Sequence, residues 1–229
     1  MKEAIVARRV VIAGAHGQVG LRLGRLLAER GDEVVGIVRN PGHVDDLRAA
    51  GVEPTVLDLE RASVAEVAAV LSGAHAAVFA AGAGPGSGPA RKDTVDRAAA
   101  ALLADACELA GVRRYLLVSS MGVESVRGGG TPDGLDEVFV AYLRAKLAAE
   151  EDLRGRELDW TVLRPGRLTD DPGSGHVRLE ASVPRGDVPR DDVAAVLAAL
   201  LDDGATAGAV LEVVGGELPV DEAVRRVVL

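Results

Sequence analysis

Arg9-Val10-Val11-Ile12-Ala13-Gly14-Ala15-His16-Gly17-Gln18-Val19-Gly20 passes from an apolar β-branched run straight into G-x-x-G-x-x-G. The run predicts a buried strand over 9–13. The residues after the first two glycines predict a helix over 19–30, with Val19, Leu23, Leu26 and Leu27 on one stripe and Arg22, Arg25 and Glu29 opposite. The triplet alone is weak, because a chain with 28 glycines yields that spacing ~0.4 times by chance. Its place between a first strand and a first helix makes it specific. Glycines there permit a tight turn and close backbone approach to a pyrophosphate, and the helix N-terminus adds amide donors and a positive dipole end. The stretch therefore predicts nucleotide binding at Gly14, Gly17 and Gly20.

Outward from this unit, short β-branched runs alternate with longer Ala/Leu-rich ones. Further strands are expected over 33–38, 53–57, 76–80, 114–119, 159–163 and 209–214. Helices are expected over 64–71, 95–110, 138–153 and 192–202, with Gly31 and Gly111 as C-terminal caps. Near-continuous apolar strands imply helices on both faces. The pattern predicts an α/β fold: a doubly wound parallel sheet of Rossmann type, in one domain over 1–229. Irregular stretches at 82–89, 127–134 and 165–175 fall at the ligand-binding ends of such strands, and 165–190 is expected to cover a substrate.

The 229 residues carry 48% hydrophobic but only 2% aromatic side chains, so the core must be Ala, Val and Leu. A net charge of −9 without a long basic run weighs against a nucleic-acid partner. Cys107, the single cysteine, excludes an intrachain disulfide and reads as a buried, inert thiol. His16, His43, His75 and His176 are scattered, so no metal site is expected. The start Met1-Lys2-Glu3 opens no signal-type apolar stretch, and the longest apolar run, 193–201, is too short to span a bilayer. A cytoplasmic monomer or homodimer without membrane partners is expected.

Two further patterns carry chemistry. The second strand ends in Arg39, where an NAD site usually presents an acid to the ribose, so a 2′-phosphate and NADP(H) are expected over NAD(H). Asp58, after the third strand, reads either as an acceptor for an adenine amino group or as a turn residue. Tyr142 and Lys146 stand at i and i+4, on one helix face. Two tyrosines and three lysines give this spacing ~0.03 times by chance. An ammonium near a phenol favours the phenolate, and such a tyrosine can exchange a proton with a carbonyl or alcohol oxygen. At the end of the fifth strand, Ser119 and Ser120 offer hydroxyls for the same oxygen.

These stretches together resemble the atypical short-chain dehydrogenase/reductases, in the NmrA-like or epimerase-like NAD(P)-binding subgroup. The likeness rests on GAHGQVG at 14–20, IVRN at 37–40, LDLE at 57–60, FAAGAGPG at 79–86, KDTVD at 92–96, LLVSSMG at 116–122, YLRAK at 142–146 and LRPGRLT at 163–169. The resemblance implies that Gly14, His16, Gly17, Gln18 and Val19 contact the dinucleotide, and that Arg39 meets the 2′-phosphate. It places Asp58 and Leu59 at the adenine, Ala81 and Gly82 along the ribose, and Pro165 and Gly166 over the nicotinamide. It makes Ser120, Tyr142 and Lys146 catalytic, with Ser119 as the one-residue alternative and Lys146 also holding the ribose. The implied activity is NADP(H)-dependent oxidation or reduction of a small carbonyl or alcohol. A dinucleotide-sensing regulator and a small epimerase or dehydratase remain the alternatives. The short chain after Pro165 argues against a bulky sugar-nucleotide substrate.

Overall fold

The computed structural model of the protein describes residues 7–84 and 86–227. The Met1-Lys2-Glu3 start and Pro85, within the FAAGAGPG stretch, lie outside the described residues. Side chains branched at Cβ favour extended backbone, and the Val/Ile-rich runs form most of the strands. These are β1 (Arg9–Ala13), β2 (Glu33–Val38), β3 (Glu53–Val56), β4 (Ala76–Phe79), β5 (Arg114–Val118), β6 (Asp159–Pro165), β7 (Arg167–Thr169), β8 (His176–Glu180), β9 (Asp187–Pro189), β10 (Ala209–Gly215) and β11 (Leu218–Pro219). The helices are α1 (Gln18–Glu29), α2 (Val44–Ala49), α3 (Val64–Val70), α4 (Pro89–Arg91), α5 (Ala99–Ala110), α6 (Glu137–Arg154), α7 (Arg190–Asp202) and α8 (Val220–Arg226). A π-helical segment, Lys92–Ala98, joins α4 to α5.

The nine-stranded sheet runs β3-β2-β1-β4-β5-β6-β10-β8-β11. It is parallel from β3 to β10. The expectation of a wholly parallel sheet is corrected at one edge, where β8 pairs antiparallel with β10 and β11 with β8. The reason is legible in β8, whose His-Val-Arg-Leu-Glu buries only Val177 and Leu179. That is the alternation of an antiparallel strand with one wet face. The sheet reverses direction of winding at β1, between β2 and β4, which puts the glycine loop at the topological switch point.

Both sheet faces are covered. Successive β1 side chains point to opposite faces, so Val10 and Ile12 enter the core with α1, α7 and α8, while Val11 and Ala13 enter the core with α3 and α5. Cys107 is fully buried, and burial pushes its thiol up to about 12, which leaves it protonated and unreactive. No helix among the described residues is long and apolar enough to cross a membrane. The expected helix over 95–110 begins earlier, at α4, and is interrupted by the wider π turns of Lys92–Ala98. Such π segments recur at functional sites, and this one turns Lys92 and Asp96 inward.

Candidate functional site

The carboxyl ends of β1 to β4 open into a groove of about 300 Å³. Its floor is the glycine loop. Gly14 has φ +81°, and a Cβ there would lie 2.5 Å from the Ala81 Cα, so the loop and the β4 end are in backbone contact. Gly17 caps α1 without any side-chain hydrogen bond, which leaves the first-turn amides of the helix open to a ligand. A Cβ on Gly17 would lie 3.0 Å from the Gly14 carbonyl oxygen, and its branches would fill the groove. A pyrophosphate-sized anion fits this cradle of uncapped amides.

The groove also receives His16, Arg39, Asp58, Leu59, Ala81 and Gly82, all expected from the sequence. His16 stacks on His43 at 3.5 Å and bonds Asp46 through Nε2. Asp58 Oδ1 accepts from the Glu60 amide, so it shapes a turn while lining the groove. Val19 is 8% exposed and packs its side chain in the core, so it and Gln18, at the start of α1, can meet a ligand in the groove through their backbone amides. Glu60, Arg91 and Asn40 were missed. Arg39 and Arg91 both converge on Glu60, at 3.0 and 2.6 Å, and Thr94 donates to its other oxygen. Two guanidiniums thus meet on the Glu60 carboxylate, with Asp58 as a second acid lining the same end.

A second cavity, of about 630 Å³, lies beyond the ends of β5 and β6. Tyr142, Ser120, Pro165 and Gly166 line it. α6 begins where the Asp136 side chain accepts from the Phe139 amide, and its face carries Tyr142, Lys146 and Glu150 at successive steps of four. Among the described residues the Tyr142 hydroxyl makes no hydrogen bond; the ring packs 5.7 Å from Phe139, with the Lys146 and Lys92 ammoniums 5.9 and 5.5 Å from its centroid.

Lys146 is buried. Its Nζ donates to the Val118 and Ala81 carbonyls at 3.0 and 3.3 Å and stands 3.2 Å from Asp96 Oδ1. The last contact lacks the geometry of a directed hydrogen bond, so charge holds it. Asp96 is fully buried, and its other oxygen accepts from the Ala83 amide at 3.1 Å. The ammonium is thus enclosed by three protein oxygens, and the expected ribose contact is not preformed.

The two serines separate cleanly. Ser120 faces the cavity, whereas Ser119 is 4% exposed and donates to Glu150 Oε1 at 2.5 Å. The Ser119 hydroxyl, the one-residue alternative to Ser120, is therefore a member of an interior network. Arg164 completes that network with two bonds to Glu150, at 2.9 and 2.6 Å, and one to Glu124 at 2.6 Å. The Arg127 and Arg164 guanidiniums hold the Glu124 carboxyl down to about 2. Asp96 and Glu150 were missed as site supports. The signal available was a buried-helix face interrupted by Glu150 four residues after Lys146, and an acid inside KDTVD.

A family model described as NAD(P)H-binding matches residues 14–204. The uncharacterized sugar epimerase YhfK of Bacillus subtilis is 32% identical over 219 residues, covering 95% of this chain and 99% of its own. A solved chain from Bacillus halodurans, described as an NAD-dependent epimerase/dehydratase, superposes with a TM-score of 0.86 at 32% identity, over 96% of this chain and all of its own. The oxidoreductase ylbE of Lactococcus lactis gives a TM-score of 0.81 at 25% identity, over 95% of each chain.

A valine at Gly17 is expected to weaken dinucleotide binding about tenfold or more while the fold survives with a lowered melting midpoint, because its Cβ presses on the Gly14 carbonyl. The extended backbone of the cap suits a branched residue, but its methyls take the pyrophosphate space. Calorimetric titration of Gly17→Val decides this, and unchanged affinity would mean that the loop is only a turn.

Proposed function

The chain belongs to the NAD(P)H-binding family of atypical short-chain dehydrogenase/reductases, and on that premise we propose that it is an NADP(H)-dependent oxidoreductase of a small carbonyl or alcohol. The observation that carries the proposal is the meeting of Tyr142 and Ser120 in one cavity, with the Lys146 ammonium 5.9 Å from the Tyr142 ring. NADP(H), when bound, supplies hydride exchange. The proton belongs to this chain. In reduction the Tyr142 hydroxyl gives its proton to the carbonyl oxygen, and in oxidation the phenolate takes it from the alcohol. The Ser120 hydroxyl, which donates to the Met121 carbonyl at 3.1 Å in the open site, turns its proton to the same oxygen and withdraws charge from it. Lys146 keeps a positive charge beneath the ring and ties the Ala81 carbonyl to α6. Loss of NADPH absorbance on a panel of small aldehydes and ketones tests the reading. Cofactor that stays bound through purification and never exchanges would overturn it in favour of an epimerase.

The choice of NADP(H) over NAD(H) is supported by Arg39 and Arg91, which converge at the groove's edge on Glu60. A guanidinium fork pairs well with a phosphate. Arg39→Asp is expected to weaken NADP binding roughly 10- to 100-fold, the value of one charge-assisted contact, and NAD binding far less. Titrating both cofactors checks this, and equal affinities in the parent protein would sink it.

A further inference from the structure

The second cavity is basic, in a chain where 35 acids outnumber 26 bases. Three arginines, Arg167, Arg185 and Arg190, line it beside Tyr142 and Ser120. Two of them have acidic partners. Arg167 pairs with Asp187, and Arg190 pairs with Asp170 at 2.9 Å. Arg185 has none among the described residues. Its side chain is exposed, but the backbone that carries it is held. The next residue is clamped, because the Gly186 carbonyl accepts from the Arg167 amide at 2.9 Å beside the β7–β9 pairing. Gly166 lies so close that a Cβ there would collide with the Gly186 oxygen. The Arg185 guanidinium then rests over Gly122, with Nη2 3.4 Å from where a Cβ on that glycine would stand. Gly122 follows Ser120 and Met121 on the same cavity wall.

We infer that the substrate handled at Tyr142 carries a carboxylate, and that Arg185 is its anchor. The inference rests on the proposed oxidoreductase reading for the identity of the reacting group, and on the cavity alone for the anion. Three guanidiniums against two carboxylates leave one net positive charge, which matches a monoanion better than a dianionic phosphate. The guanidinium fork offers a carboxylate two parallel hydrogen bonds, and it keeps its charge at any working pH. Such a contact is made equally in the ground and transition states. It lowers KM and does nothing for kcat, and it selects among carbonyl compounds that Tyr142 and Ser120 would otherwise treat alike.

The test compares para-carboxybenzaldehyde with its methyl ester, which keeps the ring and the aldehyde but removes the charge. With NADPH, the acid is expected to have a kcat/KM roughly 10- to 100-fold above the ester, through KM. Arg185→Gln should bring that ratio near one. Arg178→Gln, an arginine on β8 paired with Glu180 outside this cavity, should leave it unchanged. A second arm needs no turnover: calorimetry of para-(hydroxymethyl)benzoate and its methyl ester on the NADP-saturated protein, with the same preference and the same loss in Arg185→Gln. Selective binding of the acid without turnover of either aldehyde would sink the oxidoreductase reading and keep the anion site. Equal use of acid and ester, a preference that survives Arg185→Gln, or no binding of the acid would overturn the anion site.

Discussion

Tyr142→Phe is expected to lower turnover by roughly 10²–10⁴-fold on any accepted carbonyl, the range that loss of a general acid/base produces. The loss should fall on kcat, because the missing oxygen acts on charge that develops during the reaction. The structure makes this a clean experiment. The Tyr142 hydroxyl bonds nothing among the described residues, so its removal costs the fold no hydrogen bond, while the ring contacts with Phe139 and the two ammoniums remain. Cofactor affinity and melting midpoint should therefore stay close to those of the parent. Ser120→Ala is the milder companion, because it removes one donor to the same oxygen. Full activity in Tyr142→Phe would show that the tyrosine only packs.

Asp96→Ala is expected to be the most destabilising of these substitutions. It leaves the Lys146 ammonium buried with two carbonyls and no counter-charge, and breaking a buried pair from one side costs about 3–5 kcal/mol. In a chain of this length that is a fall in melting midpoint of roughly 6–20 °C. The Ala83 amide also loses its acceptor, so the loop between the groove and the cavity should loosen. The double variant Asp96→Ala/Lys146→Met is the informative control. With both charges gone, no ion is stranded, and the double variant should melt above Asp96→Ala. A midpoint unchanged in Asp96→Ala would mean that the pair is hydrated and unimportant. Lys146→Arg should not substitute, because three acceptors close around a compact ammonium do not suit a planar guanidinium.

The parts of the site that could be read along the chain are those whose chemistry is local. Gly14 to Gly20 act through their own backbone and the helix they open. Tyr142 and Lys146 share a face because a helix brings i and i+4 together. Arg39 is placed by the end of its own strand. The glycine-loop unit, the alternation of strands and helices, and the family were accordingly determined by the sequence alone. The antiparallel edge was missed, although β8 alternates, because its short strands lie among glycine and proline.

The rest needed the third dimension. A one-residue step along an extended chain reverses the side chain, so only the placed end of β5 could send Ser119 to Glu150 and Ser120 into the cavity. Arg185 and Gly122 meet because β7 and β9 pair, across a stretch of chain that no local pattern connects. Asp96 finds Lys146 because a π turn rotates it inward. Buried charges are settled by where their partners arrive in space. Sequence by itself determined the glycine-loop unit, the alternation of the main strands and helices, and the family. Tertiary structure decided which charges are spent on one another and which, at Arg185, is left for a ligand, because charge pairing depends on distance and burial rather than on order along the chain.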